Sequence, residues 1–247
     1  MGSVIVSYRH MPRTQITACW LQREHQNHQL IVRSRLCLVI KKKEKKTVTC
    51  VAKNITYIPS IDLESPQAGS DLINFLQTRS ISHLDVVIIT AGYFATETLK
   101  EPSFVAQERM YRTCAIGPTI LVTSLANKDD KLLNSQSKVI FVSSESGSIA
   151  LRHDKEGGGN YGHHASKAAL NMVAKLLSLD LKERGVAVAA VHPGFMRTEM
   201  TRRVGFDKFW DNGGAVTPDV AAKSLMEWVG TFDMSKTGQY WAPRGPG

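Results

Sequence analysis

The stretch between residues 138 and 198 constrains the fold of this 247-residue chain more than any other part. A continuous apolar run at 139–142 predicts a strand buried on both faces, as in a parallel sheet, and Ser143 and Ser144 follow it directly. Apolar residues at helical spacing then predict a helix over 165–184. A buried strand followed by such a helix is the repeating unit of an α/β sheet, whose ligands bind at the carboxyl ends of the strands.

Other apolar segments predict further strands of the same sheet. Residues 84–89 lead into the small-residue turn 90–92, and residues 55–61 lead directly to Asp62. A last strand is predicted at 238–241, after a helix that begins at Pro218. We therefore predict one α/β domain over the whole chain, with a three-layer, doubly wound parallel sheet of the Rossmann type and an irregular N-terminal region.

Three motifs between residues 138 and 198 resemble those of the short-chain dehydrogenase/reductase family. Ser144 fits Ser-x-x-Gly, Lys167 fits Ser-Lys-Ala-Ala-Leu, and residues 193–198 fit Pro-Gly-x-Met-x-Thr. The resemblance implies an NADP(H)-dependent oxidoreductase that interconverts a carbonyl and an alcohol. It also implies that Ser144 holds the substrate oxygen and that Lys167 holds the nicotinamide ribose.

The proton-exchanging residue departs from the family pattern. The family has a Tyr four residues before the Lys, and this chain has His163 there. At about 100° per residue, His163 and Lys167 lie roughly 40° apart on a helix, whereas Tyr161 lies roughly 240° from Lys167. An imidazole can exchange protons near neutral pH, and an adjacent Lys should lower its pKa. We predict Ser144, His163 and Lys167 as catalytic; the alternative is a catalytically silent remnant.

Further positions match the cofactor site that the resemblance implies. Asp62 would accept a hydrogen bond from the adenine amino group, and Thr90 follows the strand that borders the cofactor. The predicted second strand at 29–35 ends in two arginines that suit the 2′-phosphate of NADP, although an exposed basic edge is an equal alternative. The predicted cofactor residues are Arg33, Asp62, Thr90, Lys167, Met196 and Thr198, with Arg35 beside Arg33.

The predicted first strand, Val4–Ser7, should lie beside the strand that ends at Thr90. The loop after it would approach the pyrophosphate, which requires glycine and free backbone N–H groups. Residues 8–14 contain no glycine, and Pro12 lacks an N–H. Cys114 is another departure, because the family has an Asn there in a proton relay; a packed core thiol is the favoured interpretation.

Composition excludes several other classes of function. The net charge of +9 comes from residues 1–54, which hold 11 Lys or Arg against 2 acids. The run at 41–46 is more typical of a solvated loop than of a nucleic-acid site, because no aromatic residues interleave it. Four cysteines lack disulfide or metal spacing, which predicts reduced thiols, no metal site and a cytoplasmic protein. No apolar run reaches the roughly 20 residues of a membrane span.

Substrate choice should depend on residues 199–216, which in this family form a lid. The aromatic residues Phe206, Phe209 and Trp210 suit a planar or polyketide-like carbonyl compound of secondary metabolism. The alternative is that these side chains only pack the lid onto the core, which we favour slightly for Trp210. A silent protein that binds a small molecule or a partner is the competing function, and either class is compatible with a homo-oligomer.

Overall fold

Eight strands form one sheet in the computed structural model, which describes residues 4–7, 37–41, 55–59, 61–242 and 245–246. Their order across the sheet is β3-β2-β1-β4-β5-β6-β7-β8. The strands are β1 (Val4–Ser7), β2 (Cys37–Lys41), β3 (Ile55–Pro59), β4 (Val86–Ile89), β5 (Lys138–Val142), β6 (Ala187–Val191), β7 (Tyr240–Ala242) and β8 (Gly245–Pro246). The α-helices are α1 (Ala68–Thr78), α2 (Phe104–Tyr111), α3 (Gly117–Lys128), α4 (Tyr161–Asp180), α5 (Glu199–Arg203) and α6 (Pro218–Thr231).

The apolar residues of the central strands divide the core between the two faces of the sheet. Because successive side chains of a strand point to opposite faces, Val139 and Phe141 pack on one side and Ile140 on the other. Helices α1, α3 and α4 cover the first face, and α6 covers the second. The predicted three-layer α/β fold is therefore confirmed, and it explains why the strands are apolar throughout instead of alternating.

Helix α4 is displaced from its predicted bounds toward the N-terminus. It begins at Tyr161 and ends at Asp180, whereas the apolar pattern predicted 165–184. Gly185 does adopt the left-handed backbone expected there, with φ of 70°, but it closes a separate turn through a hydrogen bond from its N–H to the carbonyl of Lys182. Within the part of the chain that the structure describes, no helix combines the length and apolar character needed to cross a membrane.

Strand β1 runs antiparallel to both of its neighbours, which corrects the placement of the pyrophosphate loop. It lies beside β4, as predicted, but Ser7 pairs with Val86 and Val4 pairs with Ile89. The chain therefore leaves β1 at the edge where β4 begins, opposite the edge where Thr90 follows β4. An apolar pattern of four residues predicts a strand but carries no information about its direction in the sheet. The sequence of β1 therefore could not indicate this orientation. Residues 8–14 and the predicted second strand at 29–35 lie outside the described residues.

The beginning of α3 packs closely against the backbone of the loop that follows β3. A Cβ atom on Gly117 would lie 2.1 Å from the carbonyl oxygen of Leu63, so a side chain there must displace backbone. We expect Gly117→Ala to lower the free energy of unfolding by about 1–3 kcal/mol, as overpacking does elsewhere. Urea denaturation measures this change. Gly158→Ala is the matched control, because its Cβ would meet nothing within 4 Å; equal stability losses in the two variants would contradict the close contact.

Candidate active site

The carboxyl ends of three parallel strands bring the predicted site residues to one edge of the sheet. Ile89 of β4 pairs with Phe141 of β5, and Val142 of β5 pairs with Val191 of β6. The residues that follow these strands therefore lie side by side at this edge. They are Thr90 after β4, Ser143 and Ser144 after β5, and His192 with Pro193 after β6.

Lys167 is buried between α4 and the end of β5. Its side chain crosses to the sheet, where Nζ donates a hydrogen bond of 3.0 Å to the carbonyl of Val142, and the residue is only 7% exposed. Gly147 allows the backbone of α4 to pack closely on the turn after β5, since a Cβ at Gly147 would lie 2.6 Å from the carbonyl carbon of Lys167. The ammonium is thus fixed at the strand end instead of extending into solvent.

His163 lies one helical turn before Lys167 on the same face of α4. Its ring stacks on Phe94, with 4.0 Å between the ring centroids and 24° between the planes. The Nδ1 atom is buried and has no hydrogen-bond partner among the described residues. A buried ring nitrogen without a protein partner is costly unless water or a ligand meets it. The imidazole therefore offers an unused polar atom inside the site.

The surroundings of His163 favour its neutral form. Burial, followed by the positive charges of Lys167, His164 and Arg152, lowers the pKa of His163 from 6.5 to about 3. Both causes disfavour imidazolium, since burial removes solvation of the charge and the cations repel it. The predicted effect of Lys167 on this pKa is confirmed in direction, and burial is the larger cause. At neutral pH the ring carries one N–H donor and one acceptor nitrogen.

The two serines after β5 have different surroundings. Ser143 is buried, and its hydroxyl donates to Oδ1 of Asn171 at 2.5 Å, which ties the strand end to α4. Ser144 is half-buried, and its Oγ accepts a hydrogen bond of 3.1 Å from the N–H of Ser146. The hydroxyl proton of Ser144 thus remains available to a substrate oxygen.

Tyr161 occupies the first position of α4 and is 40% exposed. Because α4 includes all of residues 161–167, Tyr161 and Lys167 lie roughly 240° apart around the helix axis. The phenol of Tyr161 is therefore on a different side of α4 from Lys167. His163 is the residue that α4 places one turn from the lysine.

Cys114 lies in a π-helical turn, Arg112–Ile116, which joins α2 to α3. Its thiol is fully buried and lies 3.7 Å from the carbonyl oxygen of Tyr93. This contact supports the interpretation as a packed core thiol. Single π-helical turns are frequent near functional sites, because they displace a helix face without ending the helix.

Aromatic side chains of the lid extend the ring stack that begins with Phe94 and His163. Phe206 lies 5.6 Å from Phe94, the ring that stacks on the imidazole, and 6.2 Å from Phe209. Trp210 instead donates its ring N–H to the hydroxyl of Thr201 at 3.2 Å, a contact between two parts of the lid segment. Whether Trp210 also packs the lid onto the core stays a prediction. The sequence did not indicate Phe94, whose position two residues after Gly92 carries no periodic signal.

Of the predicted cofactor residues, Thr90 follows β4, Met196 and Thr198 follow β6, and Asp62 follows β3. Thr198 begins α5, where its hydroxyl accepts from the N–H of Thr201, and the carbonyl of Met196 accepts from the hydroxyl of Thr201. Thr90 follows β4 directly, and Oδ1 of Asp62 accepts a hydrogen bond of 3.1 Å from the N–H of Glu64. Arg33 and Arg35 lie outside the described residues.

Two glycines leave bare backbone near Lys167, where the family resemblance would place the ribose and nicotinamide of a dinucleotide. Gly92 is buried, and a Cβ there would lie 3.9 Å from Nζ of Lys167 and 3.7 Å from Cε of Met200. The absent side chain thus leaves room directly beside the ammonium. Gly194 has φ of 91°, a conformation that only glycine adopts readily, so the turn after β6 also presents bare backbone here.

The sequence matches the family described as short chain dehydrogenase over residues 29–208. This match covers well over half of the chain. The chain therefore belongs to the short chain dehydrogenase family, and its predicted classification as an oxidoreductase of that family is confirmed.

Individual relatives agree with this classification. The chain is 28% identical over 189 residues to 1-hydroxy-2-glutathionyl-2-methyl-3-butene dehydrogenase of a Rhodococcus species, over 76% of this chain and 78% of that protein. It is 29% identical over 198 residues to an uncharacterized oxidoreductase of Saccharomyces cerevisiae, over 76% and 73%. The NADPH-bound carbonyl reductase from chicken fatty liver has a similar fold, with a TM-score of 0.65, 22% identity, and coverage of 78% of this chain and 76% of that chain.

The low pKa of His163 predicts a pH dependence of stability. The unfolded chain takes up a proton at His163 near pH 6.5, whereas the folded chain does so only near pH 3. Stability is therefore lost as the pH falls from 6.5 toward 3, at about 1.4 kcal/mol per pH unit. We expect the loss between pH 7 and pH 5, measured by urea denaturation, to be about 2 kcal/mol smaller in His163→Phe.

His153→Phe, at an exposed histidine of the preceding loop, controls for the loss of a histidine as such. The same pH dependence in the wild type and in His163→Phe would show that the imidazole is not held neutral by its surroundings.

Proposed function

We propose that this protein is an NADP(H)-dependent oxidoreductase in which His163 exchanges the proton between the solvent and a carbonyl or alcohol oxygen. The observation that carries the proposal is the placement of His163 one turn before a buried Lys167, with the hydroxyl of Ser144 at the adjacent strand end. Ser144 would donate to the substrate oxygen, and Lys167 would hold the nicotinamide ribose. The nicotinamide, when bound, supplies or accepts the hydride.

The neutral imidazole determines how His163 would act. With a pKa of about 3, imidazolium is scarce at neutral pH, so the ring would bind the substrate oxygen through its remaining N–H. A neutral imidazole can polarise a carbonyl in this way when its surroundings keep it uncharged. The other ring nitrogen would receive a proton from water that enters the site. Ser144 would share the charge that develops on the oxygen.

NADP is the proposed cofactor, which Asp62, Thr90, Lys167, Met196 and Thr198 would hold from the segments that follow β3, β4 and β6 and from α4. The chicken carbonyl reductase with a similar fold contains NADPH, as its name states. The predicted contact of Arg33 and Arg35 with the 2′-phosphate remains a prediction, as does the cytoplasmic location.

The substrate class is proposed from the cover over the site. Phe94 lies under the lid residue Phe206, and the stacked imidazole continues this aromatic surface. A flat, partly apolar carbonyl compound, such as a secondary metabolite, would pack against these rings better than a small sugar would. The relative from Rhodococcus is named for a glutathionyl butene alcohol.

The assignment of the proton-exchanging residue is tested by two substitutions in one turn of helix. His163→Ala should lower turnover with a panel of aromatic ketones and NADPH by about 10²–10⁴-fold, because general acid–base catalysis is lost. Tyr161→Phe should leave turnover near the wild-type value, since that phenol lies on another side of α4. Loss of activity in Tyr161→Phe with retention in His163→Ala would assign the role to Tyr161 instead.

Cofactor preference tests the contact predicted for the N-terminal arginines. If Arg33 and Arg35 meet the 2′-phosphate, NADPH should bind about 10- to 100-fold more tightly than NADH, as a charged hydrogen bond allows. Quenching of Trp fluorescence on nucleotide titration measures both affinities. The double variant Arg33→Ala, Arg35→Ala should lose the preference without weakening NADH binding. Equal affinities in the wild type would remove this contact, and absence of binding at millimolar nucleotide would favour the catalytically silent alternative.

A further inference from the structure

A buried carboxylate that the proposed chemistry does not use lies next to the first turn of α4. Glu97 is 4% exposed, although it belongs to the loop that follows β4. Its Oε1 accepts hydrogen bonds from the N–H of Ser103 at 3.0 Å and from the side-chain amide of Gln107 at 2.8 Å. Its Oε2 accepts a hydrogen bond of 2.8 Å from the N–H of Gly162. An unpaired buried carboxylate would be costly, so these three donors account for its burial.

The ionised form of Glu97 is the one that this arrangement stabilises. Burial alone would raise the pKa of Glu97, but the hydrogen bonds from Ser103, Gly162 and Gln107 hold it below its usual value. Two of the donors belong to helix beginnings, because Ser103 is the N-cap of α2 and Gly162 is the second residue of α4. A negative charge at these positions also interacts favourably with the helix dipoles.

The backbone of Glu97 also binds the chain at the beginning of α4, through Asn160. Its N–H donates to Oδ1 of Asn160 at 3.1 Å, and its carbonyl accepts from the N–H of Asn160 at 2.9 Å. Asn160 precedes α4 and has φ of 50°, a left-handed conformation that needs such support in a residue other than glycine. A Cβ on Gly159 would lie 2.6 Å from the carbonyl oxygen of Glu97, so glycine is required where the two segments cross.

The loop that carries Glu97 also carries the ring that stacks on His163. Phe94 lies three residues before Glu97, and His163 directly follows Gly162. The loop therefore contacts α4 at two adjacent points, through the Phe94 ring on His163 and through the Glu97 carboxylate on Gly162. Together the two contacts hold the imidazole of His163 against this loop.

We propose that Glu97 is a positioning residue, which fixes the first turn of α4 against the Phe94 loop and thereby holds His163 at the point of proton exchange. The proposal rests on the proposed function of His163, but its physical content, the immobilisation of the ring, can be measured without catalysis. Glu97 itself does not touch the reacting atoms.

The test compares Glu97→Met, which keeps the length of the side chain but removes both acceptors, with Glu97→Gln, which keeps one acceptor. Glu108→Gln is the matched control, since Glu108 lies on α2 and pairs with Arg112 at 3.0 Å on the exposed side. The first readout is the NMR titration of ring-labelled histidine, in which the signal that disappears in His163→Phe is assigned to His163. The second readout is the separate measurement of kcat and KM.

We expect the His163 signal to titrate at a pH at least one unit higher in Glu97→Met, because a loosened first turn admits water to the ring, and by less in Glu97→Gln. Turnover should fall by up to about 100-fold with a much smaller change in KM, as small displacements of a reacting group cause. Glu108→Gln should match the wild type in both readouts.

An unchanged His163 titration in a folded Glu97→Met protein would overturn the proposal and leave Glu97 a purely structural residue. If Glu97→Met does not fold, Glu97→Gln gives the same decision, because it has the shape of the native side chain. If the wild type shows no turnover, the proposed function fails, and the NMR titration still decides whether Glu97 positions the ring.

Discussion

The hydrogen bond from Lys167 to the carbonyl of Val142 is the contact on which the geometry of the site depends. It joins the longest helix of the described residues to the strand whose end carries Ser144. A buried ammonium is costly unless it is hydrogen-bonded, so this carbonyl acts together with the apolar contacts of Leu170, Ala174 and Leu177 to hold α4 on the sheet. Once α4 is fixed in this way, the helical repeat determines where His163 lies. Gly147 and Asn171 support the same junction from the sheet and helix sides, respectively.

Replacement of a phenol by an imidazole changes the chemistry more than the architecture. A buried imidazole between cations stays neutral, so it can donate one hydrogen bond and accept another without carrying charge. The aromatic stack with Phe94 suits an uncharged ring and shields one of its faces. The site therefore combines the ammonium of Lys167 with neutral polar groups at Ser144 and His163. Such a combination favours stabilisation of a developing alkoxide over proton transfer from a charged acid.

The sequence predicted those parts of the molecule whose signals are local. The apolar run before Ser143 and the four-residue spacing of His163 and Lys167 specify a strand and a helix face, and both were found. The direction of β1 was not predictable, because a strand pattern carries no direction and the connecting residues determine it. Glu97 was missed for another reason. Its partners Ser103 and Gly162 are separated from it in sequence, and only the fold brings this loop carboxylate to the N-termini of α2 and α4.

The π-helical turn at 112–116 determines the angular relation between α2 and α3. It adds one residue to an otherwise continuous helix, and one residue corresponds to a rotation of about 100°. Gln107 on α2 faces the Glu97 loop, while Gly117 at the start of α3 meets Leu63 in the loop that follows β3. With a regular α-helical turn, one of these two contacts would point away from its partner. The extra residue thus rotates α3 relative to α2. This rotation allows both contacts to form along one nearly continuous helix.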